Sequence, residues 1–160
     1  MTYNLTLTSL DAYLKSAMFI AANILLPQLF HLIPGGGVMF LPVYFFTLIA
    51  AMRYGWQVAL LTAVMTPVVG NLAFGAPMAV LIPDMLLKGA TLSFAGFLAS
   101  RYVENKFVAS LLAVFCTWAI VGVVETPFTD VSFAFQDFAT GLPGMAMMIV
   151  GSFLVNKYIK

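Results

Sequence analysis

Apolar residues run along this chain in long, nearly unbroken stretches rather than in the two-sided pattern of a domain that meets water. The clearest is Phe107 to Val124, FVASLLAVFCTWAIVGVV, which carries no charge at all. A helix needs about 20 residues, or about 17 at the short end, to cross a hydrocarbon core. Ser16–Leu32 and Tyr54–Phe74 meet that length. Val38 to Met52 is apolar but short, and ends at Arg53. A fourth stretch lies between Met78 and Tyr102, and a last one, between Phe138 and Tyr158, is interrupted by GLPG at 141–144. Short spans containing Gly and Pro survive where neighbouring helices satisfy the backbone. The pattern therefore predicts an all-α, polytopic membrane protein, 1–160 forming one integral membrane domain. Its six transmembrane helices fall near 12–32, 38–53, 54–74, 78–102, 107–124 and 138–158.

Composition sharpens this reading. The chain is 62% hydrophobic and 8% charged, where a soluble domain carries about 25% charged residues, so its surface is expected to face a lipid bilayer. The basic residues then orient the spans. Lys15, Arg53, Arg101, Lys106, Lys157 and Lys160 all fall on one side of a six-span layout, and Lys88 lies within a span. The positive-inside rule makes that side, and both termini, cytoplasmic. A net charge of +1 argues against a nucleic-acid partner. The N-terminus MTYNLTLTSLDAY lacks the basic start and cleavage site of a secretory signal, so the first apolar segment is expected to be retained. Cys116, alone in an apolar run, is expected as a small buried hydrophobe. Both tryptophans have bland readings, Trp56 as an interfacial anchor beside Arg53 and Tyr54.

The remaining polar residues gather toward the outer side: His31, Asn71, Glu125, Asp130, Asp137 and the run PGGG at 34–37, with Asn23 and Gln28 in the middle and outer part of span one. Within PDMLLKGAT (83–91), Asp84 and Lys88 stand four apart, on one helical face and within reach of each other. Directly after Pro83, Asp84 sits in a first helical turn, where the helix dipole favours an anion; a structural role fits it best. Lys88 lies about 6 Å deeper. An ionisable group inside a membrane is a functional candidate, and for Lys88 ligand contact and structural pairing both fit. Asn71 follows Gly70 at the end of span three, where helix termination competes with ligand contact. His31 stands at an outer helix end, where a solvated or interfacial role competes. A metal site has no second histidine to draw on. The stretch ETPFTDVSFAFQDF (125–138) holds four phenylalanines, which fits an outer loop folded over a cavity as a lid, or lying in the interface. Met145, Met147 and Met148 read as core or lipid-facing residues before they read as a flexible ligand lining. The chain has no P-loop and no GxSxG, so no enzyme is predicted, and no cofactor.

Small residues four apart allow close helix approach in lipid. They occur as Ala17–Ala21, Ala59–Ala63, Gly89–Ser93 and Ala95–Ala99. The alanine pair Ala17–Ala21 opens an ordered series that continues through Phe40-Leu41-Pro42-Val43, Arg53-Tyr54-Gly55, Thr66-Pro67, Gly75-Ala76-Pro77-Met78, Pro83 and Gly96. Leu142-Pro143-Gly144 adds a later match. With this series the chain resembles the S components, the membrane-embedded substrate-binding subunits of energy-coupling factor (ECF) transporters that import vitamins and related micronutrients in prokaryotes.

The resemblance implies six helices with cytoplasmic termini in a prokaryotic plasma membrane, and a ligand pocket near the outer face. It implies docking of Ala17 and Ala21 against a transmembrane coupling subunit, and power from two separate ATPase subunits. The first, third and fifth loops, here PGGG, NLAFGAP and ETPFTDVSFAFQDF, would contribute to or cover the pocket. The sequence departs from many such members in one place. They carry an acidic residue a few positions beyond the equivalent of Pro83, where this chain has Leu87 and Lys88. The expected substrate contacts are Lys88, Asp84, Asn71 and His31, in a pocket lined by spans four and six, and Lys88 would favour a carboxylate or phosphate. Two other classes stay open at this point: a membrane scaffold whose alanine stripes only hold partners, and an intramembrane enzyme using Asp84 or His31.

Overall fold

A computed structural model describes residues 5–30, 42–127 and 131–158. Among them are six α-helices and no strand: α1 Leu10–Phe30, α2 Pro42–Tyr54, α3 Trp56–Phe74, α4 Ile82–Tyr102, α5 Lys106–Glu125 and α6 Val131–Tyr158. A 3₁₀ turn, Ala79–Leu81, leads into α4. Four segments, Trp56–Phe74, Ala79–Tyr102, Lys106–Glu125 and Phe138–Tyr158, are long and apolar enough to cross a membrane. That is the make-up of a multi-pass membrane protein.

The local signals are legible. Gly55 takes φ 99° between α2 and α3, a left-handed conformation that a side chain disfavours, so the two helices reverse within one residue. Asn105 caps α5, its side chain accepting from the backbone N–H groups of Phe107 and Val108. Two elements differ from the sequence reading. Much of the phenylalanine-rich stretch 125–138 is not a loop, because α6 starts at Val131. That helix also runs unbroken through GLPG, with Pro143 inside it. The proline removes one N–H from the ladder, a loss that packing against α2 and α5 offsets.

The short second helix has a packing explanation. α2 is 13 residues long, yet residues 47–52 of it are buried without a break. Helices that are apolar on every side belong inside a bundle. α2 packs on α1, α3, α4 and α6, and it supplies both hydrophobic cores. One joins Ile49 and Ala50 to Ala12, Phe19, Val58 and Ala59 from α1 and α3. The other joins Tyr44, Leu48 and Met52 to Leu92, Val114, Trp118, Met145 and Met148.

Several polar residues between the helices are satisfied by one another. Asn23, fully buried, donates through Nδ2 to Thr47 Oγ1 at 3.2 Å and accepts at Oδ1 from the Phe46 N–H at 3.2 Å. Near the opposite end, Ser152 donates to Ser110 at 2.8 Å, and Ser110 reaches the Met52 sulfur at 3.3 Å. Cys116 is exposed rather than buried. It shares the outward face of α5 with Leu112, Phe115, Ile120 and Val123, so helical phase and not residue type decided its place.

Candidate ligand-binding site

The charged pair stands where the helix geometry puts it. Pro83 lies in the first turn of α4, and Asp84 follows in that same turn, near the positive end of the helix dipole. One turn deeper, Lys88 donates from Nζ to Asp84 Oδ2 at 2.9 Å, and Oδ1 is as near. The two ends of this pair differ in exposure. The Lys88 side chain is 8% exposed and that of Asp84 36%. The cation is therefore the buried member, with the carboxylate between it and the end of the bundle where α4 begins.

The surroundings of Lys88 follow from which helices touch. α2 packs on α4 and α6, and α5 also packs on α4 and α6, so these four close a ring. α4 and α5 are antiparallel about the turn at Val103–Asn105, which places Trp118 at about the level of Ala90, within two residues of Lys88. Leu92, one turn below Lys88 on the same face, packs in one cluster with Tyr44, Trp118, Met145 and Met148. The Tyr44 ring meets the Trp118 indole edge-on, with centroids 6.2 Å apart. Trp118 is 7% exposed, and among the described residues its Nε1–H has no hydrogen-bond partner. A buried N–H without an acceptor forfeits about 1–3 kcal/mol of desolvation.

The other expected contacts are placed differently. Asn71, half-buried near the end of α3, donates from Nδ2 to the Pro77 carbonyl at 2.7 Å, while its own carbonyl accepts from the Gly75 N–H at 2.9 Å. Both bonds hold the α3–α4 connection, where Gly75 caps α3 at φ 68°, so the observed geometry is that of helix termination. His31, the PGGG run, Phe40-Leu41 and Asp130 lie outside the described residues. Ala17 and Ala21 are exposed on α1, on a face shared with Leu14, Met18 and Leu25, while Ser16, Phe19 and Asn23 point inward.

Two apolar cavities lie away from the charged pair. One of about 580 Å³ runs along α3 beneath the N-terminal segment and includes Leu7, Trp56, Leu60 and Val64. The other, about 290 Å³, sits between α1, α2 and α6 at Leu26, Phe45, Met147 and Gly151. Met145 and Met148 are core residues, and Met147 borders the smaller cavity.

Sequence reasoning did not find Tyr44 and Trp118 as neighbours of this site. One signal was available for the tryptophan: counting equal distances up both arms of the α4–α5 hairpin brings it level with Lys88. No such count was available for Tyr44, whose helix reaches α4 through tertiary packing alone. Comparison with family models, curated proteins and solved structures finds no match for this chain.

Proposed function

We propose that the chain is the substrate-binding subunit of an ECF-type importer. It captures a vitamin or related small micronutrient from the outer face of a prokaryotic plasma membrane and delivers it with an ATP-driven coupling module. The observation that carries this reading is Lys88, a lysine with an 8% exposed side chain in a bundle of apolar helices. Inserting such a charge at mid-bilayer costs about 2.5–3.5 kcal/mol, and the cost falls on a position where a hydrophobic residue would pack without it. Six spans with both termini cytoplasmic put the open end of the Asp84–Lys88 pair outward. An anionic group of the ligand, carboxylate or phosphate, then meets the ammonium by charge-assisted hydrogen bonding. The outward face of α1 suits the second half of the role. Ala17 and Ala21 leave a shallow strip between larger apolar side chains, against which the coupling subunit's helices approach closely.

The direct test is to purify the protein in mild detergent without added ligand and identify any retained small molecule by native mass spectrometry. A micronutrient bound to the wild type and lost from Lys88→Ala is the expected result. An empty protein that no vitamin stabilises in a thermal-shift panel would sink the reading and favour a scaffold. A second expectation separates capture from docking. Ala17→Leu with Ala21→Leu leaves retained ligand unchanged but abolishes co-purification with the coupling and ATPase subunits. Loss of both together would count against a docking role for this face.

A further inference from the structure

Among the described residues two buried side-chain polar atoms have no hydrogen-bond partner: Asp84 Oδ1, which still lies 2.9 Å from the Lys88 ammonium, and Trp118 Nε1, which has no such charge beside it. Other interior polar side chains close on protein atoms: Asn23 on Thr47 and the Phe46 N–H, Ser110 on Ser152, Lys88 on Asp84. The Trp118 Nε1–H has no such partner among the described residues, although the residue is 7% exposed. It stands in the ring formed by α2, α4, α5 and α6, in one cluster with Tyr44 and Leu92 and about level with Lys88. An indole N–H is a donor and never an acceptor, so what completes it must bring a lone pair. The side chains that share its cluster include Tyr44, whose ring meets the indole, and Leu92, Met145 and Met148, which bring aromatic, aliphatic and thioether surface. Flat apolar rings pack well against such walls.

We infer that Trp118 is a ligand-contacting residue, its Nε1–H donating to a hydrogen-bond acceptor on the ring of a small, planar, anionic substrate whose acid group is held at Lys88. This deepens the capture reading and rests on it. It adds a requirement that Lys88 does not impose: the substrate carries a second acceptor, such as a ring nitrogen or carbonyl, apart from its anionic group.

Three small probes separate these contacts. Nicotinate has both the carboxylate and a ring nitrogen, benzoate has the carboxylate alone, and nicotinamide has the ring nitrogen without the anion. Binding to the full chain in detergent is measured by calorimetry. Wild type is expected to prefer nicotinate to benzoate by roughly tenfold, the effect of one ordinary hydrogen bond. Trp118→Phe removes the N–H and keeps an aromatic ring, so nicotinate affinity falls to that of benzoate, which is unchanged. In Lys88→Gln both acids weaken and nicotinamide does not.

A wild-type readout guards against a variant that fails to fold. The chain has two tryptophans, so its ¹⁵N indole spectrum contains two signals, assigned with Trp56→Phe. Saturating nicotinate moves the Trp118 indole proton downfield, and benzoate moves it less. A nicotinate preference that survives in Trp118→Phe, or a Trp118 signal unmoved at saturation, overturns the inference. Failure of wild type to bind either acid also overturns it. The capture reading would then still stand or fall on the retained-ligand experiment.

Discussion

Asp84→Ala is expected to destabilise the protein by about 2–3 kcal/mol, and more than Lys88→Met does. Removing one partner of a buried ion pair costs about 3–5 kcal/mol, because the remaining charge stays in low dielectric without its counter-ion. Here the carboxylate is 36% exposed, and solvent screening places the expected cost below that range. The reverse substitution is gentler. Methionine fills much of the volume of the lysine stem and leaves Asp84 next to solvent at the start of α4, where the dipole still favours it. Replacing both partners with Asp84→Asn and Lys88→Met should recover most of the loss. Denaturation of the four proteins in one detergent, read by circular dichroism, gives the coupling directly. If Asp84→Ala is neutral, the carboxylate does not hold Lys88 and the pair is no structural unit. A Lys88→Met protein that folds normally, yet retains no ligand, would separate the lysine's function from its place in the fold.

Gly89→Leu should cost about 3 kcal/mol or more, for a reason one residue away in sequence and different in kind. A Cβ built on Gly89 falls 2.8 Å from the Ala63 Cβ and 3.6 Å from its Cα. Those atoms belong to the seam between α3 and α4, where small residues let the backbones approach in the absence of a hydrophobic driving force between helices. A leucine there forces the helices apart, and overpacking of this kind costs about 1–3 kcal/mol even where side chains can adjust. At this position the obstacle is the Ala63 methyl, which has no torsion by which to move aside, with the Ala63 backbone at contact distance behind it. The thermal midpoint in detergent should drop for Gly89→Ala and fall much further for Gly89→Leu. Ala63→Gly should rescue Gly89→Ala in a double-mutant cycle, because it removes the atom that the new methyl meets. No rescue would mean that the seam is not what limits this site. The shift would also move Lys88, so weaker ligand retention is expected in Gly89→Leu even before unfolding.

The seam shows how a pair seen in sequence acquires meaning. Ala59–Ala63 and Gly89–Ser93 are two small-residue pairs that fit ordinary bundle packing, and the structure brings Gly89 against Ala63 across α3 and α4. Ala17 and Ala21 have the same chemistry and the opposite fate, since they are exposed. Spacing alone does not distinguish these cases, because it defines a stripe on a helix and not the direction the stripe faces. Phe107–Val124 and Tyr54–Phe74 were legible nearly to their ends, since a long uncharged run has little alternative to a membrane-length helix. The stretch 125–138 was misread. Its acids suggested a solvated loop, while Phe133, Phe135 and Phe138 already belong to α6.

The chain by itself determined that this protein is helical and built for lipid, because 13 charged side chains among 160 residues cannot clothe a globule in water. It also determined that Asp84 and Lys88 meet, because residues four apart share a helical face and Pro83 sets where that helix begins. Tertiary structure alone decided that Lys88 is the buried member of the pair. It also turned Cys116 outward and left Trp118 inside the helix ring with an unanswered N–H. Those outcomes depend on which helices close around which, through contacts between residues far apart in the chain, and local periodicity carries no record of them.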